Sequence, residues 1–235
     1  MSNAAERFYQ RGHTASSQGA GAAIAPSHEA VAELSSPSHR YYCAYRFLQE
    51  HPGLHVTELG FGLPRYVGAL SQLTSKYVIC DIVNRAETVK LPPNVNFRQT
   101  DLSEDFPFQD QAFDCTIAMM IIEHLFDPFH SFRELSRITK LGGKVFVNLP
   151  NIGSIRCRLQ LLAGNMPVTS SQDWFEKREW DGNHLHYFTV ADVKRLASIS
   201  NLRLDAIHPV GKQLYIKRLS PALFCHEISF EFSRI

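Results

Sequence analysis

Short apolar runs alternate with amphipathic stretches through most of this 235-residue chain. Five runs have the length and composition of buried strands, and they lie between His55 and Pro150: "HVTEL", "KYVICDI", "VNFRQTD", "FDCTIAMMI" and "GKVFVNLP". Helical patterns separate them. Alternation of this kind predicts a doubly wound α/β sheet, mostly parallel, with helices on both faces.

Several of the predicted helices carry recognisable ends. In "DPFHSFRELSRITK", Asp127 suits the N-cap and Pro128 the first helical position, and the glycines after Leu141 are a stop signal. The stretch "SPSHRYYCAYRFLQEHPG" predicts a helix capped by Ser38. In "TVADVKRLASIS", Asp192 has the capping-box position, which predicts a helix after Thr189.

Both ends of the chain and one internal segment depart from the alternation. Residues 1–35 are rich in Ala, Gly, Ser and Gln without a sustained period, which predicts a mobile arm before a domain over 36–235. The irregular, aromatic segment 151–188 is interpreted as an inserted lid or substrate segment. Near the end, "LRLDAIHPV" and "EISFEFSRI" predict two antiparallel strands at a sheet edge, which makes seven strands in all.

Composition narrows the classes of partner and compartment. Lys and Arg number 24 against 23 Asp and Glu, a balance that argues against nucleic acid or an anionic membrane as a partner. The five cysteines are scattered and form no C-x-x-C pair, so a cytoplasmic protein with reduced thiols is expected. The longest apolar run, "CTIAMMII", is too short to span a bilayer.

The stretch "ELGFGLPR" has the features of a ligand-binding turn. Gly60 and Gly62 follow the first strand at the edge where a doubly wound sheet binds ligands, and Glu58 precedes them. A dinucleotide fold needs a third glycine where Arg65 stands, which weakens the alternative of a nicotinamide oxidoreductase. Asp81, at the end of the second strand, is the acidic residue expected to bind ribose hydroxyls.

These motifs, in this order, resemble the class I S-adenosylmethionine-dependent methyltransferases over about residues 40–235. The resemblance rests on "ELGFG", on Asp81, on "TDL" at 100–102, on "FPFQDQAFDCTIAMMIIEHLFDP" and on "RITKLGGKVFVNLPN". The tail, from "RCRLQLLAG" to "HLHYFTVADVKRLA", looks like the subgroup that tailors small molecules and sugars. The resemblance implies a Rossmann-like fold and S-adenosylmethionine as the cofactor.

The resemblance also implies a set of cofactor contacts. At the methionine end these are Glu58 near the ammonium group, Gly60 and Gly62 beside the methionine moiety, and Met119 beneath the sulfonium. At the nucleoside end these are Asp81 on the ribose diol, Ile82 against the adenine, Asp101 on the exocyclic amine and Leu102 behind the ring.

Histidines supply the candidate chemistry for a hydroxyl acceptor, which benefits from a base with a pKa near neutrality. His184 or His186 in "NHLHYF" is the expected base, and O-methylation of a small hydroxylated molecule is the preferred interpretation. A metal site formed by Glu123, His124 and these histidines is considered but not favoured. Met120 stands where metal-assisted methyltransferases of RNA termini carry a glutamate.

The sequence therefore predicts a metal-free enzyme in which His124 is mainly structural. Two other interpretations stay open: a metal-assisted RNA-terminus methyltransferase, and a cofactor-binding module that has lost catalysis and serves a partner. The oligomeric state is left open as well.

Overall fold

The structure, a computed structural model, describes residues 22–84, 89–171, 173–178 and 180–235. Its strands, in chain order, are β1 (Ala22–Ala23), β2 (Leu54–Leu59), β3 (Thr74–Asp81), β4 (Val89–Lys90), β5 (Val95–Gln99), β6 (Phe113–Met119), β7 (Thr139–Pro150), β8 (Leu202–Pro209) and β9 (Glu227–Arg234). Seven of them form one sheet in the order β5-β3-β2-β6-β7-β9-β8. The first five pair in parallel, and β9 runs antiparallel to both β7 and β8. The predicted fold class is confirmed.

Eight α-helices connect or flank the strands of the described residues. They are α1 (His28–Leu34), α2 (Tyr42–Glu50), α3 (Pro64–Ser71), α4 (Pro128–Ile138), α5 (Ile155–Leu162), α6 (Val190–Ile199), α7 (Leu214–Leu219) and α8 (Pro221–Phe224). The described residues also contain two 3-10 turns. Ile122–His124 lies near the carboxyl edge of the sheet, and Trp180–Asn183 lies in the 151–188 segment. Among these described helices, none combines the length and the apolar character needed to cross a lipid bilayer.

Two buried apolar clusters pack on the two faces of the sheet. Successive strand residues point to opposite faces, so Val145 and Val147 join the cluster that includes α4 and α6, whereas Phe146 joins the cluster of α1, α2 and α3. The five cysteines are buried and unpaired, as expected from their spacing.

The local end signals of two helices are confirmed. The Asp127 carboxylate accepts a hydrogen bond from the Phe129 backbone N–H at 2.8 Å, with Pro128 in the first turn of α4. Thr189 and Asp192 form the predicted capping box of α6. These signals depend only on neighbours in sequence, which is why sequence alone suffices to find them.

Two predicted boundaries are wrong. The glycines 142 and 143 lie inside β7, which begins at Thr139 directly after α4. Helix α2 begins at Tyr42, with Tyr41 rather than Ser38 at its N-cap.

The predicted arm over 1–35 is also revised. Residues 1–21 lie outside the described part, but 28–34 form helix α1, whose Ala30 and Leu34 are fully buried. Ser27 caps this helix by accepting from the Ala30 backbone N–H at 3.0 Å. Seven residues offer too short a window for a clear helical period, so the sequence places the start of order too late.

The segment 151–188 is closed at its base by backbone contacts. Asn151 and Phe188 form a parallel bridge, and the Ile152 N–H donates to the Phe188 carbonyl oxygen at 3.0 Å. The segment therefore leaves the sheet after β7 and returns next to its point of departure. Its aromatic residues Phe175 and Trp180 are exposed, which keeps the role as a lid a prediction.

Candidate functional site

A pocket opens at the carboxyl ends of β3 and β6, beside the loop that follows β5. It has a volume of about 530 Å³, counting the space open to solvent at its mouth. Nine residues line it: Asp81, Ile82, Val83, Asp101, Leu102, Met120, Ile121, His124 and Leu125. The structure thus brings together four of the predicted cofactor residues, which are Asp81, Ile82, Asp101 and Leu102.

Backbone groups orient the two pocket carboxylates. Asp81 accepts from the Phe61 N–H at 2.7 Å through one oxygen and from the Val83 N–H at 2.9 Å through the other. Asp101 accepts from the Ser103 N–H at 2.9 Å. A carboxylate offers about four acceptor sites and these backbone groups use two of those of Asp81, so the Asp81 side chain retains capacity for a ligand. Together with the apolar side chains of Ile82 and Leu102, which also line the pocket, this set fits the hydroxyls, amine and ring of a nucleoside.

The glycine turn packs against neighbouring side chains. Gly60 has a φ of +85°, and a Cβ atom there would lie 3.3 Å from Ile121 Cδ1. At Gly62 a Cβ atom would lie 3.0 Å from the Tyr41 hydroxyl oxygen. Gly60 therefore allows the close approach of Ile121, which lines the pocket, and Gly62 allows that of Tyr41. The contact of both glycines with the methionine moiety stays a prediction.

Glu58 lies beneath this turn and is 1% exposed. Its carboxylate accepts hydrogen bonds from the Tyr41 hydroxyl and, at 2.6 Å, from the Tyr77 hydroxyl. Burial raises the pKa of Glu58 to about 7. The predicted position near the cofactor ammonium stays a prediction, but the Tyr41 hydroxyl stands beside both Glu58 and Gly62. The sequence does not reveal that Tyr41 and Tyr77 donate to Glu58, because the three residues lie in separate elements.

The methionine that lines the pocket is Met120 rather than the predicted Met119. Met119 is the last residue of β6, and it packs in the cluster that contains Phe61 and Tyr66. Met120 follows with a φ of 54°, and its N–H donates to the Asn148 carbonyl oxygen at 3.0 Å. Because this left-handed residue turns the chain out of the sheet, its side chain lies at the pocket.

Glu123, His124 and His184 come together at one side of the pocket. One ligand atom from each of the three lies within 4.8 Å of the others, and the two imidazole centroids are 4.8 Å apart. The N–H groups of Leu185 and His186 both donate to the Glu123 carbonyl oxygen, at 2.8 and 3.1 Å. This backbone contact explains how residues 60 positions apart meet.

His184 is held by a chain of hydrogen bonds. The Thr169 hydroxyl donates to Asp181 at 2.6 Å, so at 2.7 Å it accepts from Nδ1–H of His184. This bond fixes the neutral tautomer with a lone pair on Nε2. Burial lowers the pKa of His184, which keeps the ring neutral. Asp181 itself lies in a left-handed turn with a φ of 40°.

His186, the second predicted base, is separate from this cluster. Its Nε2 lies 3.1 Å from the Phe126 carbonyl oxygen, and its ring packs near Phe188. A carbonyl oxygen only accepts, so Nε2 of His186 carries a proton in this contact. Of the two predicted bases, only His184 therefore faces His124, which lines the pocket.

Glu123 is fully buried, with 0% exposure. Neither of its carboxylate oxygens has a hydrogen-bond partner in the part of the chain that the structure describes. Burial raises the pKa of Glu123 to about 8. A buried carboxylate without partners is costly, so this side chain calls for a physical explanation.

Comparison with known proteins shows the family. The family model of the methionine biosynthesis protein MetW matches residues 51–229, which is more than half of the chain. The chain belongs to the MetW family. A further relative, the uncharacterized protein YafE of Escherichia coli (strain K12), is 32% identical over 147 residues. The match covers 62% of this chain and 64% of YafE, so this chain spans less than two thirds of the length of that relative.

Solved structures similar to this MetW-family protein include several S-adenosylmethionine-dependent methyltransferases. One is a chain of the complex between the Haloferax volcanii Trm112 methyltransferase activator and a methyltransferase, with a TM-score of 0.61, 14% identity, and coverage of 88% of this chain and 93% of that one. Another is an S-adenosylmethionine-dependent methyltransferase from Mesorhizobium loti, with a TM-score of 0.60, 15% identity, and coverage of 83% and 98%. At these identities the similarity shows the fold, which is the class I S-adenosylmethionine-dependent methyltransferase fold.

Proposed function

We propose that this protein is an S-adenosylmethionine-dependent methyltransferase that methylates a hydroxyl group of a small molecule. The observation that carries the proposal is the pocket with Asp81 and Asp101 at adjacent strand ends in a methyltransferase fold. Asp81 binds the ribose hydroxyls, Asp101 the adenine amine, and Ile82 and Leu102 contact the ring. When bound, the cofactor supplies an activated methyl group.

The other side of the pocket supports a hydroxyl acceptor. His124 lines the pocket and His184 packs against it, so two imidazoles lie where an acceptor would approach. A neutral imidazole with a lone pair on Nε2 accepts a proton from a hydroxyl group, an effect that typically contributes about 10²- to 10⁴-fold in rate. Holding the acceptor in line contributes on the order of 7 to 11 kcal/mol.

Segment 151–188 provides the rest of the acceptor site in this proposal. It supplies His184 through the turn at Trp180–Asn183, and its two ends meet at the Asn151–Phe188 bridge. In this proposal the segment, anchored at both ends, acts as a lid that closes over the bound acceptor. The identity of the acceptor within the class of hydroxylated small molecules is left to a substrate screen.

Mass spectrometry of the ligand released from a denatured preparation tests the proposal. We expect S-adenosylmethionine or S-adenosylhomocysteine, because Asp81 and Asp101 fit their nucleoside. The stripped protein should then convert S-adenosylmethionine to S-adenosylhomocysteine in the presence of a hydroxylated acceptor. A nicotinamide cofactor would contradict the proposal, and binding without turnover across a broad acceptor screen would favour the partner module.

A further inference from the structure

The carboxylate of Glu123 differs from two other well-buried carboxylates of this protein, those of Glu58 and Glu134. Glu58 accepts from two tyrosine hydroxyls. Glu134 accepts from Arg137 and from the Phe106 N–H. Glu123 is as buried as these residues, but both its oxygens lack a partner among the described residues. Buried polar groups in native proteins are nearly always paired, so a partner beyond the described residues is indicated, and a cation is the partner that would keep this carboxylate ionised.

The surroundings of Glu123 have the composition of a metal site. Two imidazoles and one carboxylate converge within 4.8 Å, and we name Glu123, His124 and His184 the Glu–His cluster. Ligand atoms bound to one zinc ion at bonds of about 2 Å lie roughly 3 to 3.5 Å apart. Small side-chain rotations therefore suffice to bring the three donors around one ion.

Both histidines of the cluster have the outer contacts that orient metal ligands. Nδ1 of His184 donates to Thr169, whose hydroxyl donates to Asp181. Nδ1 of His124 lies 3.1 Å from the Asn183 carbonyl oxygen. Metal-bound histidines almost always make such a contact to a carbonyl, carboxylate or similar acceptor, and it directs the other nitrogen to the ion.

We propose that Glu123, His124 and His184 bind one divalent first-row transition-metal ion, such as Zn²⁺, beside the pocket. Imidazole ligands favour these ions over Mg²⁺ and Ca²⁺, which prefer oxygen. Three protein ligands leave coordination positions open. This proposal reverses the metal-free expectation, which rested on the lack of a second carboxylate near Glu123, where Met120 stands, and on the smaller geometric demand of a single histidine base. The structure shows that Met120 lines the pocket and that the cluster reaches three ligands without it.

The open positions also define an acceptor class, an inference that rests on the proposed function. His124 belongs to both the cluster and the pocket wall, so the ion lies next to the acceptor. We infer an acceptor whose hydroxyl has a second oxygen adjacent to it, because two oxygens chelate one ion. In the reaction the O–C bond forms and the C–S bond breaks, its electron pair stays on sulfur, and the hydroxyl proton passes to water. In the metal-bound protein Nε2 of His184 is a ligand and no longer the base, and the ion takes over that task by lowering the pKa of the acceptor hydroxyl.

Calorimetric titration of Zn²⁺ into the chelator-stripped, full-length protein tests the metal site directly. We expect one ion per chain. Glu123→Gln and His184→Gln should each weaken binding at least tenfold, since each removes a ligand. Thr169→Val, which removes the hydroxyl that orients His184, should weaken it about 10- to 100-fold. Circular dichroism should show that the variants are folded, and Glu123→Gln keeps the shape of the side chain.

The chain offers a matched control in its other group of metal-type residues among those described, Asp105, His130 and Glu134. The Glu134 oxygens are already occupied by Arg137 and the Phe106 N–H, so His130→Ala should leave Zn²⁺ affinity unchanged. The proposal is overturned if the wild type binds no Zn²⁺, if Glu123→Gln and His184→Gln bind it as the wild type does, or if only His130→Ala loses it.

A second measurement distinguishes a failure of the metal proposal from a failure of the proposed function. With an acceptor in hand, the stripped protein should bind S-adenosylhomocysteine normally but lose methyl transfer at least 100-fold, with recovery on adding Zn²⁺ or Mn²⁺. Normal cofactor binding with undiminished transfer would overturn the metal-assisted step and leave the proposed function intact. Absent cofactor binding in the metal-loaded protein would refute the proposed function, whatever the Zn²⁺ titration shows.

Discussion

Two glutamates at the carboxyl edge of the sheet show how burial and neighbouring side chains set the pKa of a carboxyl group. Glu58 and Glu123 are both almost completely inaccessible to solvent. Two tyrosine hydroxyls donate to Glu58, whereas Glu123 faces two imidazoles. Burial raises the pKa of both groups. For Glu58 the hydrogen bonds oppose burial, but burial is the larger effect.

The Glu58 shift predicts a dependence of stability on pH. The unfolded chain releases this proton near pH 4.5, whereas the folded protein keeps it until about pH 7. The stability that the folded state gains from Glu58 is therefore present below pH 4.5 and is lost as the pH rises through 7. Glu58→Gln cannot titrate, so its free energy of unfolding relative to wild type should rise by about 2 to 3 kcal/mol between pH 5 and pH 8.

Urea unfolding at the two pH values measures this difference. The exposed Glu50→Gln on α2 is the matched control, and its stability relative to wild type should stay the same within about 0.5 kcal/mol. An equal stability difference for Glu58→Gln at pH 5 and pH 8 would show that Glu58 is ionised throughout that range in the folded protein.

At the scale of elements, helix α1 supports the helix that follows the glycine turn. The Glu33 carboxylate accepts from the Tyr66 hydroxyl at 2.6 Å and pairs with Arg65 at 3.0 Å. A Cβ atom at Gly68 would lie 2.8 Å from the backbone of Ala25, so glycine is needed for this approach. Helix α1 therefore packs against α3 and fixes the position of the helix that follows the glycine turn.

Paired alanine substitutions on α1 test this packing. Leu34 is fully buried and Val31 is exposed on the same helix. Leu34→Ala should lower the free energy of unfolding by about 2 to 5 kcal/mol. Val31→Ala should change it by about 0.5 kcal/mol or less. Equal, small effects in thermal or urea unfolding would show that α1 does not pack as described and would restore the interpretation of residues 1–35 as a mobile arm.

At the scale of the whole molecule, the sequence predicts what depends on local patterns. The strands, the N-caps of α4 and α6, and the acidic residues at or just after the ends of β3 and β5 are visible in short windows, and the family resemblance gives their order. Contacts between distant segments are not visible in this way. Nothing near Glu123 reveals that the backbone of residues 185 and 186 bonds to its carbonyl oxygen. The shift from Met119 to Met120 depends on a left-handed φ that methionine seldom adopts.

The most direct test of the central claim is a calorimetric titration of S-adenosylhomocysteine into the wild type and into Asp81→Ala, with Asp105→Ala as the matched control. The side chain of Asp105 is 92% exposed and lies outside the pocket lining. We predict one binding site in the wild type, unchanged affinity in Asp105→Ala, and a loss of about 10- to 150-fold in Asp81→Ala, since hydrogen bonds to a charged group contribute roughly 1.5 to 3 kcal/mol. No binding to the wild type, or equal affinity in a folded Asp81→Ala, would contradict the assignment of this pocket to the cofactor.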